Sequence, residues 1–124
     1  MRLGDIIVAR NRHWTAGKHF IIYLDGDGKK LLIGGVLTHA PANNVAMKEI
    51  HFQPSDKNGV RYKFQFDKTY VVRGRFIKPP KWGPYKKVGE LTPAGIEFVL
   101  SIVQSEPEMC WDGFVARNAY LKAS

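Results

Sequence analysis

The tetrapeptide Asp25-Gly26-Asp27-Gly28 constrains this chain more than any other stretch. Asp-Gly pairs reach positive φ at little cost, and a tight β-turn demands that of its central residues. Runs that favour extended backbone stand on either side: His19 to Leu24 before it and Lys30 to Thr38 after it. Their β-branched and aromatic side chains pack well on a pleated surface, so the three pieces predict an antiparallel hairpin. Gly34-Gly35, inside the second arm, predicts a bulge or sharp bend.

Further strands are predicted around this hairpin. Gly4-Asp5 opens the apolar run Ile6-Ile7-Val8-Ala9, a first strand ending near Arg10. Val45 to Phe52 and Val60 to Phe66 are weaker strands split by a turn at Pro54 to Gly59, and the alternation in Arg61-Tyr62-Lys63-Phe64-Gln65-Phe66 implies one buried and one wet face. Thr69 to Ile77 is a strand stopped by Pro79-Pro80. The period then changes. Thr92-Pro93 is a helix start with Thr92 as N-cap, and Ile96, Val99, Leu100 and Val103 form one apolar stripe that ends before Pro107. The expected fold is mainly β (α+β), a small, strongly bent barrel of five to six antiparallel strands with a C-terminal helix, closed so that no edge is left open. It is one domain: barrel 1–80, irregular connection 81–91, helix 92–105 and tail 106–124. A chain of 124 residues buries roughly two-thirds of its unfolded surface and needs no metal or disulfide staple.

Cys110 is the single cysteine, so no internal disulfide forms, which fits a reducing compartment. The N-terminal stretch lacks the apolar core of a signal peptide, and no apolar run approaches the roughly 20 residues that span a bilayer. The expectation is a cytoplasmic protein with no membrane partner.

The net charge is +8, and its distribution says more than its size. Lys57 to Lys87 holds ten basic residues against one acid, Asp67, a local balance of +9. Within this run Arg73, Arg75 and Lys78 are candidate phosphate contacts. A solvated surface that keeps the protein in solution is the plainer account of the same charges.

All four histidines, His13, His19, His39 and His51, fall in the first 51 residues. Histidine is the natural proton carrier near neutral pH. RNA supplies its own nucleophile, the 2′-hydroxyl, so cleavage needs only a base, an acid and a cation for the phosphorane. Counting outward from the Asp-Gly turn sets residue 19 roughly opposite 34 and brings Lys18, His19, Thr38 and His39 toward one end of the hairpin. His19 and His51 read more simply as ordinary strand residues than as catalysts, and a β-branched strand residue alone explains Thr38, whereas His13 and His39 sit in or beside loops, where functional residues concentrate. Arg10, Arg12 and Lys18 flank the first loop and are candidates for phosphate binding, with solvated loop charges the simpler account; His13 is a further nucleic-acid candidate there, and Trp14 is placed to stack on a base or to anchor the loop. The histidines lack metal-ligand spacing, no phosphate-cradling glycine loop is present, and no metal or cofactor is expected.

The order of these pieces resembles the MazF/PemK toxin family, whose fold is an SH3-type barrel with terminal helices. Gly4-Asp5-Ile6-Ile7-Val8 matches its opening, Lys18-His19 before Phe20-Ile21-Ile22 stands where the family has Arg-Pro, Val36-Leu37-Thr38 matches a later strand end, and Val88-Gly89-Glu90-Leu91-Thr92 matches the helix start. The resemblance covers roughly the first hundred residues. It implies a homodimeric, metal-independent endoribonuclease of a toxin-antitoxin system, held in check by an antitoxin protein, with Lys18 and Thr38 in the active site. The lysine departs from the family's arginine and lacks its planar fork for phosphate. The alternative is a non-catalytic module that holds nucleic acid or a protein on the basic face.

Overall fold

The computed structural model describes residues 1–9, 20–26, 32–77 and 85–110. They form strands β1 (Asp5–Ala9), β2 (Phe20–Gly26), β3 (Leu32–Thr38), β4 (Val45–Ala46), β5 (Tyr70–Val71), β6 (Arg75–Ile77), β7 (Tyr85–Glu90) and β8 (Glu108–Cys110). A turn of 3-10 helix (Glu49–His51) and one α-helix, α1 (Pro93–Val103), complete them. The sheet runs β4-β5-β3-β2-β1-β7, with β6 also on β3 and β8 on β6. Its pairs are antiparallel except β6–β8, which is parallel.

The apolar runs are continuous because the central strands are buried on both faces. Ile6, Ile22, Leu37 and Val71 join Phe52, Phe64, Val99 and Val103 in one core cluster. Their neighbours Ile7, Ile21, Val36 and Val72 join Tyr23, Leu32 and Phe76 in a second. Each such side chain taken fully from water contributes about 1.5–3 kcal/mol. α1 covers the first cluster, and Met109 of β8 packs on the second.

The hairpin forms, with a different turn and register from those expected. Pairing starts at Phe20↔Leu37 and runs to Gly26↔Leu32, so Asp25 and Gly26 belong to the strand and the connection is residues 27–31. Residue 34 faces Tyr23, not the start of β2. The bulge lies on β2, between Tyr23 and Asp25, rather than at the glycine pair. Gly34 has another purpose: a Cβ there would lie 2.6 Å from Cγ2 of Ile21.

Other expectations need correction. The sheet is not closed: β4 and β7 end the ladder path. β4 is only two residues long, and the chain then turns into the 3-10 helix instead of continuing as the predicted 45–52 strand. It meets β7 through the bonds Gln53 N–H to Glu90 O (2.9 Å) and Phe64 N–H to Val88 O (2.8 Å), and the residue after β7 through the isolated bridge Phe52↔Leu91. Residues 60–66 form no ladder strand, yet Phe64 is buried and Arg61 and Lys63 exposed, so the alternation still reports the inward face. The 69–77 strand breaks at Val72-Arg73-Gly74, where the Gly74 N–H turns back to Val72 O (2.9 Å). The connection 81–91 contains β7, and the tail contains β8.

α1 matches expectation at its start. The Thr92 hydroxyl accepts the Gly95 N–H (3.1 Å) and donates to Ile50 O (2.8 Å). Its buried line is Gly95, Val99 and Val103, flanked by half-buried Ile96, Phe98 and Ile102; Leu100 lies beside this face rather than in it. No helix among the described residues is long and apolar enough to cross a membrane.

Candidate nucleic-acid site at the end of β3

Thr38 is the last residue of β3, opposite Tyr70 on β5. Its β-branched side chain suits the strand, and it is buried. Its Oγ1 accepts the Ala40 N–H at 3.1 Å, a local bond that ends the strand and sets the direction of the turn. Asn44 braces the same turn by donating from Nδ2 to Ala40 O (2.8 Å). Asn43 takes φ +62°, the left-handed region that asparagine tolerates.

His39 stands on this turn and is exposed. Its Nδ1 lies 3.4 Å from the carbonyl oxygen of Lys68, which itself has φ +39°. Buried Thr69 follows and donates to Asp67 O (3.1 Å). An exposed imidazole and an exposed lysine thus share one rim. The start of β2 reaches the same rim, since Phe20 pairs with Leu37 beside Thr38.

Of the expected site residues, Thr38 and His39 therefore adjoin, and Lys68 joins them unforeseen. Nothing in the local sequence marks Lys68, because the turn that presents it is a product of β3–β5 pairing. Arg10, Arg12, His13, Trp14, Lys18, His19 and Lys78 lie outside the described residues. Arg73 is exposed at the break between β5 and β6. Arg75 is engaged instead: its Nε donates to Glu106 O (2.9 Å), and its guanidinium is 4.0 Å from Glu108.

Lys57, Arg61 and Lys63 lie on the segment that bonds to β7, whereas Lys68 and Arg73 flank β5. Lys87 is tied to the structure. Its Nζ is 3.0 Å from buried Asp5 and 5.6 Å from the centre of the Tyr62 ring. Burial pulls the Lys87 pKa down, but Asp5, Glu90 and Tyr62 together outweigh it and the net shift is upward. The Tyr62 hydroxyl donates to Glu90 (3.0 Å), and burial with this bond raises its pKa against the opposing pull of Lys87.

The Gly4-Asp5 pair has a structural account. Gly4 takes φ +95°, and a Cβ there would lie 2.8 Å from Ile96. Asp5 accepts the Arg2 N–H (2.9 Å) as well as pairing with Lys87. His51 is likewise structural, in a 3-10 turn rather than a strand: its Nδ1 accepts the Lys48 N–H (3.0 Å) and its ring stacks on Phe98. Burial, reinforced by Lys48, lowers its pKa.

Among the described residues no group of three His, Cys, Asp or Glu side chains is placed to hold a metal ion. No protein-family model, curated protein or solved structure matches the chain.

Proposed function

We propose that this chain binds single-stranded RNA at the β3 end and cleaves it without a metal, as a toxin-type endoribonuclease. The observation that carries the reading is exposed His39 on a turn braced by Thr38 and Asn44, against the backbone of Lys68 and beside the start of β2. In this reading the RNA 2′-hydroxyl attacks its neighbouring phosphorus, losing its proton to a base. The 5′-oxygen leaves with a proton from an acid, giving a 2′,3′-cyclic phosphate and a 5′-hydroxyl. His39 is one proton carrier, and His19, which directly precedes Phe20 in the chain, is the second. Lys18 and Lys68 supply positive charge for the phosphorane. Thr38 acts as a positioning residue, since its hydroxyl is buried and already engaged by the turn.

The proposal includes a homodimer, a cytoplasmic setting and an acidic antitoxin whose charge complements the net +8 of this chain. One observation favours the second reading, a non-catalytic RNA-binding module: the Thr38 hydroxyl already has a structural use that requires no substrate.

The test is incubation of purified protein with mixed single-stranded RNA in EDTA, followed by end-mapping. The expected result is discrete fragments with cyclic-phosphate ends. His39→Ala should lower the rate by about 10²-fold or more. Thr38→Ser should retain most activity and Thr38→Val should lose it. Intact RNA that still shifts on a gel would establish the binding module instead, and intact RNA without a shift would remove nucleic acid as the partner.

A further inference from the structure

We infer that the groove between the 3-10 turn and residues 53–66 is a pocket for one unstacked nucleobase, and that guanine is the base it takes. The inference deepens the RNA reading above and rests on it. The groove has a volume of about 510 Å³ and is lined by Glu49, Ile50, Gln53, Arg61, Gln65 and Phe66, with Phe52 behind. That is an ordinary size for a small-ligand site.

Its apolar part suits a flat ring. Phe66 is half-buried and backed by Phe52, with ring centroids 5.5 Å apart. A supported aromatic ring of this kind is what unpaired bases stack on. Ile50, on the same groove, is 67% exposed, an apolar surface that a bound base would cover.

The polar part carries side-chain atoms left without a hydrogen-bond partner among the described residues. Gln65 Nε2 donates to Pro54 O (3.1 Å) and to Tyr62 O (2.7 Å), which commits both amide hydrogens and pins the amide plane. Its Oε1 makes no hydrogen bond among the described residues and is held in place as an acceptor. The side chains of half-buried Gln53 and of Glu49 and Arg61 have no partner among the described residues either. The groove is therefore lined by a carboxylate, a guanidinium and two amides together with an aromatic ring.

This set matches guanine better than the other bases. Guanine presents the N1 and N2 donors on one edge, which a carboxylate accepts as a pair, and the O6 and N7 acceptors on another, which arginine forks onto. Adenine places its N6 donor where O6 would be and opposes the guanidinium. The pyrimidines lack N7. The position also suits an RNA strand lying at His39. Phe66 precedes Lys68 by two residues, a span of at most about 7 Å, and the Lys68 carbonyl is the group His39 approaches.

The test is an NMR titration of the full-length labelled protein with GMP, AMP, CMP and UMP, run beside the RNA-cleavage assay. GMP is expected to shift the side-chain amides of Gln53 and Gln65 and the Arg61 guanidinium, and to bind roughly tenfold tighter than AMP or more. Glu49→Gln and Arg61→Ala should each abolish that preference with Tm unchanged. Gln53→Ala, which leaves the backbone bond to Glu90 intact, should weaken GMP without altering the fold. Absence of these shifts, or an equal response to all four nucleotides, overturns the inference. RNA cut with no guanine preference would remove the pocket and leave the nuclease reading standing. Guanine-selective shifts with uncut RNA would remove the nuclease reading and leave the pocket.

Discussion

The His51 ring lies nearly flat against Phe98, with centroids 4.4 Å apart, and its Nδ1 accepts the Lys48 N–H. Acceptance requires that nitrogen to be unprotonated, and burial with nearby Lys48 also favours the neutral ring. The folded-state pKa is therefore below the unfolded value of about 6.5, and the unfolded chain binds the extra proton in between. This contribution to stability is fully present above pH about 6.5 and is lost as pH falls through the folded-state pKa. Melting temperature measured from pH 8 to pH 5 should decline below that point. In His51→Phe, which keeps the ring stack, the baseline should fall by about 1–3 kcal/mol for the unpaired Lys48 N–H, and the His51 part of the acid slope should vanish. His39 belongs to the same residue type and has the opposite fate, because its turn leaves it in solvent. Sequence position beside a strand distinguished exposed His39 from buried His51 only in part, since burial depends on what crosses over each ring.

At the scale of elements, α1 packs with its backbone close against the 3-10 turn. A Cβ on Gly95 would lie 2.1 Å from His51 O, and the Thr92 N–H bonds to that same oxygen (2.9 Å). Replacing a helical glycine with alanine ordinarily gains about 1 kcal/mol of helix propensity. Here Gly95→Ala should instead destabilise by about 1–3 kcal/mol or more through overpacking, as read from the urea midpoint. The start of this helix was legible because a Thr-Pro cap and a 3.6-residue stripe are local signals. β7 was not. Its sequence, Tyr-Lys-Lys-Val-Gly-Glu, has one buried large apolar residue, Val88, and two exposed lysines. It is a strand because β1 supplies hydrogen bonds along its length. The parallel strand β8 is a similar case: three residues held on β6, with Met109 reaching the second core.

At the scale of the molecule, the fold decides which cations are available to a polyanion. Lys57, Arg61, Lys63, Lys68 and Arg73 are exposed and have no ion-pair partner among the described residues, whereas Lys87 holds Asp5 and Arg75 meets the tail. If RNA binds as proposed, Lys68→Gln and Arg73→Gln should each flatten the dependence of log K on log salt by about 0.7. Lys87→Gln should leave that slope unchanged and lower the melting temperature, since it strands a buried carboxylate. Binding isotherms across a salt series, with thermal melts of each variant, separate the two classes.

Sequence alone determined the mainly β class, the β1 run, the two hairpin arms and the capped helix, because propensity, apolar runs and capping act over a few neighbouring residues. It also marked Thr38 and His39 as a strand end followed by a turn. Tertiary structure decided the rest. The β2–β3 register follows from where the bulge falls, the open sheet from the early end of β4, and the groove at Phe66 from a 3-10 turn where a strand was expected. These depend on contacts between residues distant in the chain, and such contacts leave no local pattern to read.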